Sequence, residues 1–336
     1  MSKKSFLRHL ILFALLLALV LAISLPASAF LFGSDKSTSE PAQQSGNQAP
    51  IAENLSLSTY QNVAIPGSFS AVDPEGDLIT FRITKNPARG SITCAEDGSG
   101  AFTYTPYENK KGKDSFTYVA EDAQGNISQP ATVSIRISKP STEVTYSDMS
   151  GNPAHKAAIR LAEQNIMVGD QLGGTWFFRP NSPVTRTEFL AAAMDTVGLN
   201  TLTDITATGF SDDGAIAVWA KPYVASALKS GMVQGCSNAE GQAVFLPDAP
   251  ITRAEATVML NRLLQVSDVS AVETFAPANA APVWAYQSAV NLEAVGVLQT
   301  SADGTLGLGD TLTRADAAMM LSSALDVLAF RADHSH

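Results

Sequence analysis

VTRTEF (Val184–Phe189), ITRAEA (Ile251–Ala256) and LTRADA (Leu312–Ala317) are three versions of one helix start in the second half of a 336-residue chain. A Thr followed three residues later by an acid is a capping box. The hydroxyl accepts from the third helical N–H, and the acid returns a bond to the backbone N–H of the cap. Folding alone therefore explains Thr185 with Glu188, Thr252 with Glu255, and Thr313 with Asp316. It does not explain Arg186, Arg253 and Arg314, because a cation in the first turn opposes the helix dipole. Three cations at three helix starts point to an anion that must be held.

The flanks of these motifs repeat as well. Tyr146-Ser147-Asp148, Phe210-Ser211-Asp212 and Phe275-Ala276-Pro277 stand 64 and 65 residues apart. Nine residues after each opening aromatic come His155, Trp219 and Trp284, and a helical apolar pattern follows. Phe178, Phe245 and Leu306 then precede the Arg by eight residues. Each unit thus predicts a helix, a turn and a second helix. Leu190, Met194 and Val197 form the inner face of the second helix in the first unit. Val258, Met259, Leu263 and Leu264 do so in the second, and Met319, Met320, Leu321 and Leu325 in the third. One such unit cannot bury its apolar face alone, whereas three packed together share a core.

The first half has a different period. Leu78–Thr84, Ala101–Thr105, Ser115–Ala120 and Thr132–Ile137 alternate apolar and polar residues, with weaker strands at Val63–Phe69 and Ser91–Cys94. Pro74-Glu75-Gly76-Asp77, Asp97-Gly98 and Gln124-Gly125-Asn126 supply turns between them. About seven short strands in residues 51–138 predict a β-sandwich. The segments APIAEN, AVDPEGDLITFRI, FTYTP and DSFTYVAEDAQGN resemble the bacterial cadherin-like and immunoglobulin-like repeats of surface proteins.

Lys3, Lys4 and Arg8, an apolar run from Leu10 to Leu25 and Ala27-Ser28-Ala29 read as a secretory signal peptide over residues 1–29; the alternative is an uncleaved membrane anchor, for which the run is short. No other segment is apolar enough to span a membrane. Residues 30–50, rich in Ser, Gln, Gly and Pro, read as a flexible linker. Residues 139–145 form a second, short linker. The net charge of −10 falls to −13 without the three signal-peptide cations, which argues against nucleic acid as a partner. Cys94 and Cys236 fall in different domains and predict no disulfide framework, so both read as packed or partly exposed thiols.

The aromatic-x-Asp opening, the Trp-Ala step, the Phe-x-Pro turn and Thr-Arg-Ala-Glu, recurring in that order, resemble S-layer homology (SLH) domains. The resemblance covers residues 146–200, 210–267 and 275–330. It implies an all-α, pseudo-threefold assembly of three helix-turn-helix units behind the all-β domain. It further implies non-covalent anchoring to a secondary cell wall polysaccharide linked to peptidoglycan, often pyruvylated, in grooves between units. Arg186, Arg253 and Arg314 are then the anion contacts, because a guanidinium fork matches a ketal carboxylate; the alternative is that each caps a neighbouring carbonyl or pairs with a surface acid. Free N–H groups at the same helix starts would add donors, and Trp219 or Trp284 would either stack on a sugar or pack in the core. Asp148 and Asp212 are expected as helix N-caps or groove hydrogen-bonders.

The units are unequal. The second is the most complete. The first has His155 at the Trp offset, and the third has Pro277 for Asp and Leu306 for Phe. Completeness ranks the groove using Arg253 first, that of Arg186 next and that of Arg314 last. In the β-domain, Asp73, Glu75, Asp77, Glu53 and Asp122 are candidate Ca²⁺ ligands by resemblance to cadherin-like repeats; the alternative is a solvated acidic turn. No other cofactor is expected. Only four His are present, and no HExxH, GxSxG or Cys-His pattern accompanies them, which argues against an enzyme. Wall-anchored display is the first reading; an adhesin whose β-domain binds a host, matrix or neighbour-cell ligand is the second, and a wall-active enzyme accessory ranks below both. The residues do not name that ligand.

Overall fold

Alternation in the first half resolves into nine strands: β1 (Ile51–Ala52), β2 (Leu55–Tyr60), β3 (Ile65–Ser68), β4 (Ala71–Val72), β5 (Thr80–Lys85), β6 (Gly90–Cys94), β7 (Ala101–Pro106), β8 (Gly112–Glu121) and β9 (Ala131–Ser138). The computed structural model describes residues 46–268, 282–300 and 305–334. The signal peptide, most of the first linker and the opening at residues 275–277 lie outside the described residues.

Seven strands build the two sheets of a sandwich. One sheet runs β2-β9-β8-β5, with β2 parallel to β9 and the other pairs antiparallel; the second runs β3-β7-β6. β1 and β4 form a separate short pair. Inward positions of β7 and β9 are buried at every second residue, the consequence of a period-two pleat. Phe69 lies 4.7 Å from Phe102 and 4.4 Å from Tyr118, ring centre to ring centre, at the heart of the core between the sheets. The sequence reading missed β1, β2 and β4, because β1 and β4 are two residues long and LSLSTY places small Ser and Thr at its alternate positions.

The first linker is shorter than residues 30–50 suggested. Asn47 donates to Asp122 at 2.6 Å, Gln48 donates to Glu75, and Pro50 is buried, so the chain joins the β-domain at Asn47. Polar composition marked these residues as linker, but side-chain amides are what tie them down.

Among the described residues six α-helices follow in pairs: α1 (His155–Glu163) with α2 (Arg186–Thr196), α3 (Lys221–Lys229) with α4 (Arg253–Leu264), and α5 (Tyr286–Ala294) with α6 (Arg314–His334). The all-α expectation needs one correction. Within the first two pairs stand two-stranded ribbons, β10 (Asp170–Leu172) with β11 (Thr175–Phe177) and β12 (Cys236–Ser237) with β13 (Ala243–Val244). These strands are two or three residues long, below the length at which alternation is legible. The second helices form the capping boxes as expected: Glu188 N and Glu255 N donate to their Thr hydroxyls, and Asp316 N does the same to Thr313. Such a cap contributes about 1 kcal/mol.

Each first helix packs on the second helix of another pair: α3 on α2, α5 on α4, and α1 on α6. One continuous core holds Phe178, Phe189, Leu190, Met194, Phe245, Leu260 and Leu321. Met319, expected on the inner face, is an exception with 37% of its surface exposed. The strand domain and the helix pairs belong to one compact unit that begins at Asn47.

Candidate ligand grooves and cation site

The three residues before the Thr of each helix start meet at the centre of the helical part. Val184 N donates to Leu312 O at 3.0 Å, Leu312 N to Ile251 O at 2.9 Å, and Ile251 N to Val184 O at 2.9 Å. The three form a closed ring of backbone hydrogen bonds, and all are buried. The orphan donors of each helix start are also used between neighbours, in the opposite cyclic sense. Arg186 N and Thr187 N donate to Ala249 O and Pro247 O; Arg253 N and Ala254 N to Asp310 O and Leu308 O; Arg314 N and Ala315 N to Ser182 O and Pro180 O. The expectation that these N–H groups stay free for a ligand is therefore corrected. A buried amide needs a partner, and the neighbouring turn supplies it.

The arginines cross in the same direction. Arg186 Nε donates to Phe245 O at 2.9 Å, Nη1 pairs with Glu255 at 2.6 Å, and the guanidinium lies 5.5 Å from the Phe245 ring centre. Arg314 Nε donates to Phe178 O at 2.7 Å, with its guanidinium 4.9 Å over the Phe178 ring. Arg253 has no such seat. Its Nε is buried without a partner, Nη2 reaches Gln299 O at 3.4 Å, and Nη1 stands 3.5 Å from Asp316. The position opposite it carries Leu306 in place of Phe, so no ring lies there to hold the guanidinium. None of the three arginines is fully exposed. Arg186 keeps only 6% of its side chain exposed, and the other two are half-buried.

Asp148 and Asp212 cap no α-helix. Asp148 accepts from Phe178 N at 2.9 Å and Arg179 N at 2.7 Å; Asp212 accepts from Phe245 N at 2.9 Å and Leu246 N at 2.8 Å. Each carboxylate clamps a turn whose second residue has a positive φ, 58° at Arg179 and 59° at Leu246. That conformation costs an L-residue about 1–2 kcal/mol, and the two charge-assisted bonds offset it. The third pair has Pro277 at the Asp position and Gly307, φ 54°, at the left-handed one. Glycine removes the cost that the carboxylate offsets elsewhere.

The Trp offset is also corrected. Fully buried Ala154, Ala220 and Ala285 precede the three first helices, so the structural partner of Trp219 and Trp284 is Pro153. His155 instead matches Lys221 and Tyr286 as the first helical residue. Burial lowers the His155 pKa below 6.5, with Asp148 opposing. The first unit is two residues shorter between its opening aromatic and its helix, and a fixed offset hides that deletion. Trp219 and Trp284 are 57% and 60% exposed, which removes the core-packing reading for both.

These parts meet in grooves. The first, about 560 Å³, has α2 residues Glu188 and Asp195 on its floor and Trp219 and Tyr223 on one wall; Arg179, Ser182 and Arg314 line it too. Tyr223 donates to Asp195 at 3.0 Å and fixes that wall. The second, about 290 Å³, has Arg186, Glu255 and Arg262 with Trp284 and Cys236. Each groove thus takes its Trp from one neighbouring pair and its crossing Arg from the other. Completeness of a unit is therefore not completeness of a groove. The Arg of the most complete unit points towards the third helix pair, while Arg314 lines the larger groove. Arg179, Ser182 and Tyr223 were missed; only the one-turn spacing of Trp219 and Tyr223 signals them in the sequence. Cys94 and Cys236 are free and exposed, so neither is a packed thiol.

In the β-domain, ligand oxygens of Asp73, Asp77 and Asp122 lie within 4.8 Å of one another. Asp73 Oδ1 accepts from Glu75 N and Asp77 N at 3.0 Å each, while its Oδ2 is buried without a hydrogen-bond partner. Asp122 accepts from Gln124 N, Asn126 and Asn47. Burial alone would raise its pKa, but the bonds from Asn126, Gln124 and Asn47 hold the carboxyl below its usual range. An orphaned oxygen facing two further carboxylates fits a hard cation, which takes oxygen ligands. Glu75 and Glu53 stand outside the cluster: Glu75 accepts from Gln48, and Glu53 from the Ser70 hydroxyl.

Among the described residues no helix is long and apolar enough to cross a membrane. The family model for the bacterial cadherin-like domain matches residues 47–139, and that for the S-layer homology domain matches residues 145–190 and 209–257. An amylopullulanase of Thermoanaerobacterium thermosulfurigenes is 37% identical over 36% of this chain and 6% of its own length. Exoglucanase XynX of Acetivibrio thermocellus is 35% identical over 37% of this chain and 11% of its own. The surface-layer 125 kDa protein of Lysinibacillus sphaericus is 28% identical over 38% of this chain and 10% of its own. The chain thus spans about a tenth or less of these relatives. Among solved structures, an endo-fucoidan hydrolase of glycoside hydrolase family 107 superposes over 29% of this chain and 14% of its own, at 24% identity and a TM-score of 0.24; no argument rests on it. The chain carries a bacterial cadherin-like domain followed by S-layer homology domains.

Proposed function

We propose that this is an exported surface protein held non-covalently at the bacterial cell wall, with its helix pairs gripping wall polysaccharide and its β-domain displayed. The groove at Trp219 carries this reading. It combines an exposed indole, on which a sugar face can stack, with the Arg179 and Arg314 guanidiniums and the Ser182 hydroxyl. A pyruvylated, anionic glycan presents the matching pair of groups, an apolar ring face and a carboxylate. The three helix pairs act as three SLH units around the Val184–Ile251–Leu312 ring, a pseudo-threefold arrangement. Asp73, Asp77 and Asp122 hold Ca²⁺ in the β-domain, where the cation would rigidify the end at which the chain enters. The two kinds of domain matched are anchoring and binding modules. The enzymes among the relatives share too little of their length with this chain to lend it a reaction.

The mature protein is expected to co-sediment with walls that retain their polysaccharide and to stay in solution with acid-stripped walls. Trp219→Ala is expected to weaken that binding at least tenfold while leaving the melting temperature unchanged, because the indole is exposed. Equal binding to stripped walls would overturn the reading. For the cation, a chelator is expected to lower the melting temperature of the wild type and leave Asp73→Asn unaffected.

A further inference from the structure

The third groove position is walled off on one side by the chain itself. Counting from the crossing Arg, Ala191, Val258 and Met319 occupy one register on the second helices, and Asp195, Arg262 and Ser323 the next. Opposite them, Trp219 and Tyr223 in the first groove become Pro153 and Ala157 in the third. Those third-groove residues line a cleft of about 320 Å³ whose far wall is the β-domain: Ser56 to Ser58 of β2, with Ile65 and Pro66 of β3. Polar bonds fasten this contact. Tyr60 donates its hydroxyl to Glu163 at 2.6 Å, Ser141 donates its N–H and hydroxyl to the other Glu163 oxygen at 2.6 and 2.9 Å, and Lys156 Nζ donates to the Ser58 hydroxyl at 3.0 Å. The Tyr60 ring also packs against the helical core.

We propose that this third groove is an intramolecular docking site for the β-domain, so that the chain offers two grooves to a ligand and holds its displayed domain at a fixed angle. Three independent observations converge. The indole that projects from the equivalent position in the other grooves is replaced by Pro153, the one residue there small enough to leave β2 room. β2 and β3 are the edge strands of their sheets, and both lie on the same wall, so docking sets helical residues beside unpaired strand edges, which folds commonly shield. Glu163 takes three bonds from the β-domain and its linker, the work of a fastener. Burial alone would raise its pKa, yet the Tyr60 and Ser141 bonds keep it below its ordinary 4.5, so it stays charged and bonded near neutrality. Domains joined by a small polar contact move independently by default; here a charged side chain, a linker and a packed tyrosine act together.

The docking itself does not depend on the wall reading; the count of two open grooves does. The test is nitrogen-15 relaxation on the mature chain. A single rotational correlation time is expected for residues of the β-domain and of the helices. Pro153→Trp places an indole against β2 and is expected to split this into two times, as is Lys156→Glu combined with Glu163→Ala; both domains should keep their chemical-shift dispersion. Separate tumbling in the wild type, or one correlation time in both variants, would overturn the proposal. Titration with acid-released wall glycan is the second arm. Two equivalents per wild-type chain support closure of the third groove, and three overturn it. No binding at all, with common tumbling, supports docking and sinks the anchoring reading alone.

Discussion

Arg186 and Arg253 occupy the same place in the same motif and do different work. Arg186 crosses to the next helix pair and finds a carbonyl, a ring and a carboxylate; Arg253 crosses and finds none of the three at full strength. The difference lies in the partner. Phe245 offers its ring and its carbonyl, while Leu306 at the corresponding place offers no ring. A motif residue is therefore first a joint between neighbours, and it is free to meet a ligand only where its neighbour leaves it capacity. Arg314 stands between the two cases: it is seated on Phe178 yet also lines the groove at Trp219.

Breaking the better-seated joints should cost most. Arg186→Ala strips the Phe245 carbonyl and Glu255 Oε1 of their charged partner, while Thr252 keeps the other Glu255 oxygen, an expected loss of about 3 kcal/mol in urea unfolding. Arg314→Ala removes a carbonyl bond and a cation–π contact for an expected loss of about 2 kcal/mol. Its wall affinity should fall further than that stability change explains. Gly307→Ala forces φ 54° on an L-residue and sets a Cβ 2.7 Å from an Asp310 oxygen, at an expected cost of about 1.5 kcal/mol. Leu246→Gly, at the clamped equivalent, should move in the other direction by about 0.5 kcal/mol. Arg253→Ala should change stability by less than about 1 kcal/mol, as expected of a partly exposed pair. A loss as large as that of Arg186→Ala would show that the Arg253 joint is as strong as the others.

The unit openings show where the sequence could be read and where it misled. The capping boxes were legible because Thr and the acid act within one helical turn. The role of Asp148 and Asp212 was not: an acid ahead of a helix suggests a cap, whereas its partners lie about thirty residues on, at a turn. His155 was matched to Trp219 because a fixed offset cannot register a two-residue deletion; the buried alanines, which pack, give the true register. In the β-domain, the acids nearest in sequence were the poorer guide. Glu75 sits between Asp73 and Asp77 yet turns to Gln48, and Asp122 arrives from another loop.

Period and local chemistry determined, from sequence alone, that a two-sheet strand domain precedes paired helices with capped second members. Side-chain alternation and the reach of a cap are set by neighbours within a few residues. Only the tertiary structure decided which pair each Arg serves, that the helix-start donors are used between neighbours, and that one groove is covered by the chain's own strands. Those outcomes depend on contacts between residues scores of positions apart, where a deletion of two residues or one Phe→Leu exchange redirects the partner without disturbing the local pattern.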